Sequence, residues 1–361
     1  MSTHYSKPVL VRSVQSIQAA DLLPANAGRA SRVHALINAL GLKDSVQIEA
    51  ARAATDEELC MFHSAEYVRA VCYAGSDESD FGLVHGCSRF VGMASHVRYA
   101  AGGTLVAAEA LITGRTRTAL HWEGGRHHGR RARAAGFCYI NDAVLGILRL
   151  QQRFSRILYI DLDLHHGDGV QLAFEHSARV TTLSLHHASR GFYPGTGLAC
   201  VEGRGRGQRR SINVNLQPGA RDGTFTGAYS AVGELVVERF APDAVVLQCG
   251  CDGLAGDPHK VFNLTTDAYA ECLRVAMAWA RPLLVLGGGG YSHSDCARCW
   301  ARLTAVACGR GSDVPADVPE HEFLGEYGPG FEMAVDAMRV ADENSAESVR
   351  AIVDAIAGQL G

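Results

Sequence analysis

Along the chain, short apolar runs alternate with longer segments in which apolar residues recur every three to four positions. Val9–Val11, Thr118–Trp122, Arg156–Asp161, Val180–His186, Ser211–Leu216, Ala244–Cys251 and Pro282–Leu286 are short and largely apolar, the pattern of buried strands. Helical spacing fills Ala30–Leu40, Glu57–Val71, Ala101–Ile112, Asn141–Gln151, Asp168–His176, Thr224–Phe240, Thr266–Ala280, Asp295–Val306 and Ser345–Ile356. A second short strand is expected before residue 60. Gly75–Arg89 is polar and reads as a surface loop, and residues 309–342 are loop-rich. Strand–helix alternation of this kind predicts an α/β fold, with a mostly parallel open sheet and helices on both faces. No repeat, low-complexity linker or composition break divides the chain, so one domain is expected over residues 1–361.

In an open parallel sheet, ligands bind beyond the C-terminal ends of the strands. Polar residues gather there repeatedly: Gly124-Gly-Arg-His-His128, Asp161-Leu-Asp-Leu-His-His-Gly-Asp-Gly169, Gly250-Cys-Asp252 and Gly287-Gly-Gly-Gly-Tyr291. In the second of these, Asp161, Asp163 and His165 alternate with Leu162 and Leu164. A period of two places both carboxylates and the imidazole on one face and the leucines on the other. Buried carboxylates need partners or a cation, and oxygen with imidazole nitrogen suits zinc or a similar divalent metal. A hydrogen-bonded strand end without metal is the plainer alternative. Asp252, ending another apolar strand, is a candidate third ligand. His166 falls on the opposite face.

His127-His128 can supply a general acid/base and an electrostatic partner, with Asp161 and Asp168 as orienting carboxylates. Surface histidines are the plainer reading of that pair. Tyr291 can donate to a developing oxyanion, or simply pack. The glycine tetrad lacks the Lys-Ser/Thr ending of a phosphate loop, which excludes that class of nucleotide site. Cys296-Ala-Arg-Cys299 has no second pair and reads as structural rather than redox-active. Arg126, Arg130, Arg131 and Arg133 form one basic cluster, and Arg204, Arg206, Arg209 and Arg210 another; each reads as a solvated face or a rim for an acidic partner.

Composition narrows the class. The 361 residues are 20% charged and 47% hydrophobic, the profile of a soluble globular protein. A net charge of -4 gives no case for direct nucleic-acid binding. No apolar run approaches the ~18 residues of a membrane helix, and the N-terminus shows no secretory h-region. Eleven scattered cysteines point to a reducing, intracellular compartment.

The motifs above, with Gly136-Phe-Cys-Tyr-Ile-Asn-Asp142, Gly191-Phe-Tyr-Pro-Gly-Thr-Gly197 and Asp252-Gly-Leu-Ala-Gly-Asp257, resemble the class I zinc-dependent histone deacetylases from about residue 8 to the end. The likeness is greatest to the isoform-eight branch, which acts without a corepressor complex. It implies an arginase/deacetylase-like fold and hydrolysis of acetyl-lysine in histone tails or other proteins, in the nucleus or cytoplasm. It implies Zn2+, or Fe2+ in its place, on Asp163, His165 and Asp252. His127 would pair with Asp161 and be mainly electrostatic. His128 would pair with Asp168 and serve as general base, then acid, toward a metal-activated water. Tyr291 would polarise the acetyl carbonyl. Gly136, Phe137, Tyr193, His259 and Gly289 would line a tunnel for the lysine stem. A structural K+ is implied near Asp161, Asp163, His165, Ser184 and Leu185, and Arg29 matches an arginine deep behind the site.

Three positions depart from the family pattern. Gly86 replaces a rim aspartate that grips substrate backbone. Arg126 replaces a bulky apolar residue beside the foot of the tunnel. His259 replaces an apolar residue at its mouth, which also disfavours the acidic gate of a polyamine deacetylase. A silent acetyl-lysine-binding scaffold and a binuclear manganese ureohydrolase are the remaining alternatives; the second would need carboxylates that are not found.

Overall fold

The computed structural model describes residues 7–73 and 81–360. Its strands are β1 (Val9–Val11), β2 (Gln47–Glu49), β3 (Thr118–His121), β4 (Ile157–Asp161), β5 (Val180–His186), β6 (Val201–Glu202), β7 (Ser211–Asn215), β8 (Ala244–Gln248) and β9 (Leu283–Leu286). They form one sheet in the order β2-β1-β3-β9-β8-β4-β5-β7-β6. Every neighbouring pair is parallel except β6 with β7 at one edge.

Alternation along the strands builds a core on each side. Leu10, Leu158, Ile160, Leu183, Leu185, Val245, Leu247, Leu283 and Val285 face one cluster. Val9, Val11, Ile157, Tyr159, Val246, Leu284 and Leu286 face the other. Both faces are apolar, as a parallel sheet covered by helices requires.

The helices are α1 (Val14–Asp21), α2 (Arg29–Ala39), α3 (Asp56–Leu59), α4 (Ala65–Cys72), α5 (Met93–Ile112), α6 (Asp142–Leu150), α7 (Asp168–Phe174), α8 (Asp222–Phe240), α9 (Thr266–Ala278), α10 (His293–Ala307) and α11 (Ala346–Leu360). Residues of α2, α8, α9 and α10 fill the first cluster. Residues of α5, α6 and α7 fill the second. The expected fold is the observed one: a single α/β domain with helices on both faces.

Several boundaries differ from the sequence pattern. The segment 57–71 is two helices, because Ser64 caps α4 by accepting from Tyr67 N. α1 was not expected; only Ser16, Ala19 and Ala20 on it are buried, so its apolar stripe is too thin to read. α5 starts at Met93 rather than Ala101, since the buried position 96 is a histidine and breaks the apolar pattern. β6 is a two-residue edge strand with no signal of its own. Of the loop expected at 75–89, residues 75–80 lie outside the described residues. Beyond them, Leu83 and Cys87 are buried, so the segment is only partly a surface loop.

A buried pair ties α2 to the loop after β3: His34 Nε2 lies 2.6 Å from Glu123 Oε1. Burial pushes the Glu123 carboxyl up, but the His34 and His121 imidazoles outweigh it and hold it at about 2. A depressed carboxyl stabilises the fold above its unfolded value, and that share is lost as pH falls through the folded value. The ordinary carboxyl value is 4.5. The share is on the order of 3 kcal/mol. Glu123→Gln should therefore be less stable than wild type at pH 7, with the gap closing between about pH 4.5 and 2. Urea denaturation at several pH values measures this, and a gap independent of pH would contradict it.

Candidate active site

Sheet order decides which strand ends meet. β4 lies between β5 and β8, which sets Asp161 level with Ser184 and with Gln248. Beyond β4 the chain stays extended: Leu162 N donates to Gln248 O at 2.9–3.0 Å spacing typical of a ladder, here 3.0 Å. His187 N donates to Leu164 O at 2.9 Å. The period of two therefore persists past the strand. Leu162 and Leu164 join the core, while Asp161, Asp163 and His165 are buried on the other side.

The loop after β3 is held by the start of α6. Asn141 caps that helix by accepting from Val144 N. Its amide donates to His127 O at 3.3 Å and Gly129 O at 2.8 Å. Asp142 accepts from Gly125 N at 2.9 Å and Arg126 N at 2.7 Å. These bonds present His127 and His128 as neighbours, with ring centroids 3.9 Å apart.

Each histidine meets its expected carboxylate. His127 Nδ1 lies 2.8 Å from Asp161 Oδ2, which also accepts from the Tyr159 hydroxyl at 2.6 Å. His128 Nδ1 lies 2.7 Å from Asp168 Oδ1, while Arg130 donates to Oδ2 at 2.8 Å. Burial pushes the His127 imidazole down, but Asp161 and Asp163 outweigh it and raise it to about 9. His128 is lowered to about 4 by burial and by the His127 cation, against the pull of Asp168.

Beside them lie Asp163, His165 and Asp252, all buried, with one ligand atom from each within 4.8 Å of the others. His165 Nδ1 is 2.9 Å from Asp252 Oδ2 and 3.3 Å from Asp163 Oδ1. Backbone donors fix the carboxylates: Gly289 N to Asp163 Oδ2 at 2.9 Å, and Leu164 N to Asp252 Oδ1 at 2.8 Å. Glycine is required around them. A Cβ on Gly289 would stand 2.7 Å from Oδ2 of both aspartates, and one on Gly250 would stand 2.0 Å from Asp163 Oδ2. The donor set fits a divalent metal: two carboxylates and one imidazole leave a coordination position open. His166 turns away, pairing with Thr196 at 2.8 Å and Gln171 at 3.0 Å.

Tyr291, His128 and His165 line a cleft of about 670 Å³ together with Gly136, Phe137, Tyr193 and His259. Gly289 lines a smaller void at its inner end. The Tyr291 ring packs 5.8 Å from Phe137 and 5.0 Å from His259. Leu185 and Ser184 lie on β5 next to the segment that carries Asp163 and His165, where Gly167 N donates to Ser184 Oγ at 3.4 Å.

The chain matches the histone deacetylase domain over residues 23–307. It is 41% identical over 362 residues to histone deacetylase 8 of Xenopus tropicalis, covering 98% of this chain and 97% of that protein. Identity to histone deacetylase 8 of Danio rerio is 39% over 359 residues, covering 98% and 94%. Histone deacetylase 9 of Arabidopsis thaliana is 36% identical over 337 residues, covering 91% and 79%. This chain belongs to the histone deacetylase family. It is a class I member most similar to the isoform-eight branch, and its activity is that of a protein lysine deacetylase, a hydrolase.

Several features of this deacetylase were not read from its sequence. Phe192 stacks on the His165 ring, with centroids 5.2 Å apart and planes 5° apart. Asp257 joins two site residues, accepting from Tyr291 N at 2.8 Å and lying 2.8 Å from His259 Nδ1. The Asp252-to-Asp257 spacing, with His259 two residues on, was the available signal. The basic cluster at 126–133 is corrected: Arg126 is 4% exposed and belongs to the interior, while only Arg130, Arg131 and Arg133 are surface residues. Cys296 and Cys299 are buried, and burial raises both thiols, in keeping with a structural role. At Gly86 a Cβ would meet Phe137 Cε1 at 2.9 Å, so restoring an aspartate there requires the Phe137 ring to shift.

Gly136 adopts φ 52°. A Cβ there would stand 2.3 Å from His128 Cδ2 and 2.8 Å from the Tyr193 hydroxyl. Gly136→Ala should displace the His128 ring and lower kcat by ~10²-fold or more, the scale of a lost acid–base group. Far-UV circular dichroism should be unchanged. Wild-type kcat in the folded variant would show that the tight approach does not matter.

Proposed function

We propose that this deacetylase hydrolyses Nε-acetyl-lysine in histones or other proteins with one zinc ion held by Asp163, His165 and Asp252. The observation that carries the reading is the convergence of that buried triad with two carboxylate-held histidines and a tyrosine at the base of one cleft. Zinc, or Fe2+ in its place, would supply a Lewis acid for the amide carbonyl and a water of lowered pKa.

The protein's own groups supply the rest. Asp168 holds His128 by Nδ1, which leaves the Nε2 lone pair free to take a proton and later return it to the leaving amine. His127, held by Asp161 and 3.7 Å from Asp163 through Nε2, provides positive charge beside the reacting carbonyl. The Tyr291 phenol is held protonated by burial and by the nearby Asp252 and Asp163 charges, so it is a donor. Its role is to hydrogen-bond the oxygen that gains charge. Phe137 and Tyr193 flank the lysine stem in the cleft. His259, oriented by Asp257, is the polar group at the mouth and is the candidate for substrate contact there. A structural K+ belongs at Asp161, Asp163, His165, Ser184 and Leu185, where β4 and β5 run side by side.

Intracellular action, in nucleus or cytoplasm and without a corepressor complex, completes this reading. Among the described residues no helix is long and apolar enough to cross a membrane.

Alanine substitutions separate the histidines. His128→Ala should lower kcat by ~10²–10⁴-fold, and His127→Ala by less, with metal content unchanged in both. Steady-state kinetics on an acetylated peptide, with metal analysis, tests this. A His128→Ala protein with near wild-type turnover would rule out the assignment.

A further inference from the structure

Arg126 lines two small voids behind the catalytic cleft. One, of about 20 Å³, is walled also by Asp163, His165 and Tyr291. The other, of about 10 Å³, is walled also by Asn26, Arg29 and Glu123. Each is close to the room that a single ordered water needs.

Two buried guanidiniums share this interior without a direct ion pair among the described residues. Arg29 and Arg126 are 3% and 4% exposed. Arg29 donates to Gly290 O at 2.8 Å and Gly288 O at 3.0 Å, and lies over the Trp300 ring. Arg126 reaches Asn26 Oδ1 at 3.2 Å and Glu123 O at 3.4 Å, and its Nε has no partner. The Glu123 carboxylate is taken up by His34 at 2.6 Å and faces His121 at 3.3 Å. Among the described residues, neither guanidinium has a carboxylate partner. Burial and the Arg29 charge both lower the Arg126 pKa. A buried cation without an anion is costly, and one with an open donor is placed to take one.

We propose that Arg126 grips the carboxylate of an acidic acyl group, so that this chain removes malonyl from lysine as well as acetyl. The inference rests on the acyl-lysine hydrolysis proposed above. With the lysine stem in the cleft and the carbonyl at Tyr291, the acyl end enters the small void that Tyr291 and Arg126 both line. Malonyl is acetyl with a carboxylate on its methyl carbon, and that carboxylate extends into the inner void. One of its oxygens can accept from the open Nε donor of Arg126. A neutral acyl group of equal length leaves that donor unsatisfied. The voids are small, which favours the shortest acidic acyl group, malonyl. The step is an ordinary hydrolysis. Water adds to the carbonyl, the C–N bond breaks, the lysine amine takes a proton, and malonate leaves without any redox change.

The test is kcat/KM on one peptide carrying acetyl-, propionyl-, butyryl-, malonyl- or succinyl-lysine in turn. Released malonate is measured directly, because decarboxylation would also yield acetyl-lysine. Malonyl-lysine should be cleaved within about tenfold of acetyl-lysine and ahead of propionyl and butyryl. Arg126→Leu should lower the malonyl-to-acetyl ratio by about 10²-fold, and Arg126→Lys should retain part of it. If either variant fails to fold, the wild-type ranking alone decides. Wild-type protein that cleaves acetyl but not malonyl, or that prefers butyryl to malonyl, overturns the proposal and leaves the deacetylase reading standing. An unchanged ratio in Arg126→Leu removes Arg126 from the role. Protein that cleaves none of the peptides overturns both readings.

Discussion

A carboxylate taken out of water must be given hydrogen-bond donors or a cation, and the rest of this site follows from that requirement. Glu123, Asp142, Asp161, Asp163, Asp168, Asp252 and Asp257 are all buried near one edge of the sheet. Asp142 is satisfied by the backbone of the loop that carries the histidines. Asp161 and Asp168 are satisfied by those histidines. Asp257 is satisfied by the Tyr291 backbone and His259. Only Asp163 and Asp252 converge on each other through a single imidazole, which leaves the strongest demand for a metal there. The candidate acid–base groups and the candidate metal ligands are thus parts of one solution to burying charge.

Parallel topology makes that solution available. The strands all deliver their C-terminal ends to one edge, apart from the antiparallel β6. Loops from β3, β4, β8 and β9 then meet although they are far apart in sequence. Glycine lets them meet closely, as Gly250 and Gly289 show beside the aspartates.

Much of this was legible in the sequence for stated physical reasons. The alternation of Asp161, Asp163 and His165 with two leucines survives beyond the strand because Leu162 and Leu164 keep ladder-like backbone bonds. Strand positions were readable because both sheet faces are apolar. What was not legible depended on contacts between distant segments. The run of arginines around Arg126 reads as surface, while the family resemblance puts its position beside the tunnel foot; the structure buries it, with α2 and the loop after β3 around it. His259 reads as a lone substitution, yet Asp257 orients it. The Phe192–His165 stack has no periodic signature, since it joins a loop to the segment that carries the candidate metal ligands.

The central claim is a single divalent metal on Asp163, His165 and Asp252. Isothermal titration of Zn2+ into chelator-stripped protein measures it most directly, with Asp252→Asn and His166→Ala alongside. One ion should bind per chain in wild type and in His166→Ala, and binding should be lost in Asp252→Asn. Two ions per chain, no binding, or a loss caused by His166→Ala would contradict the account.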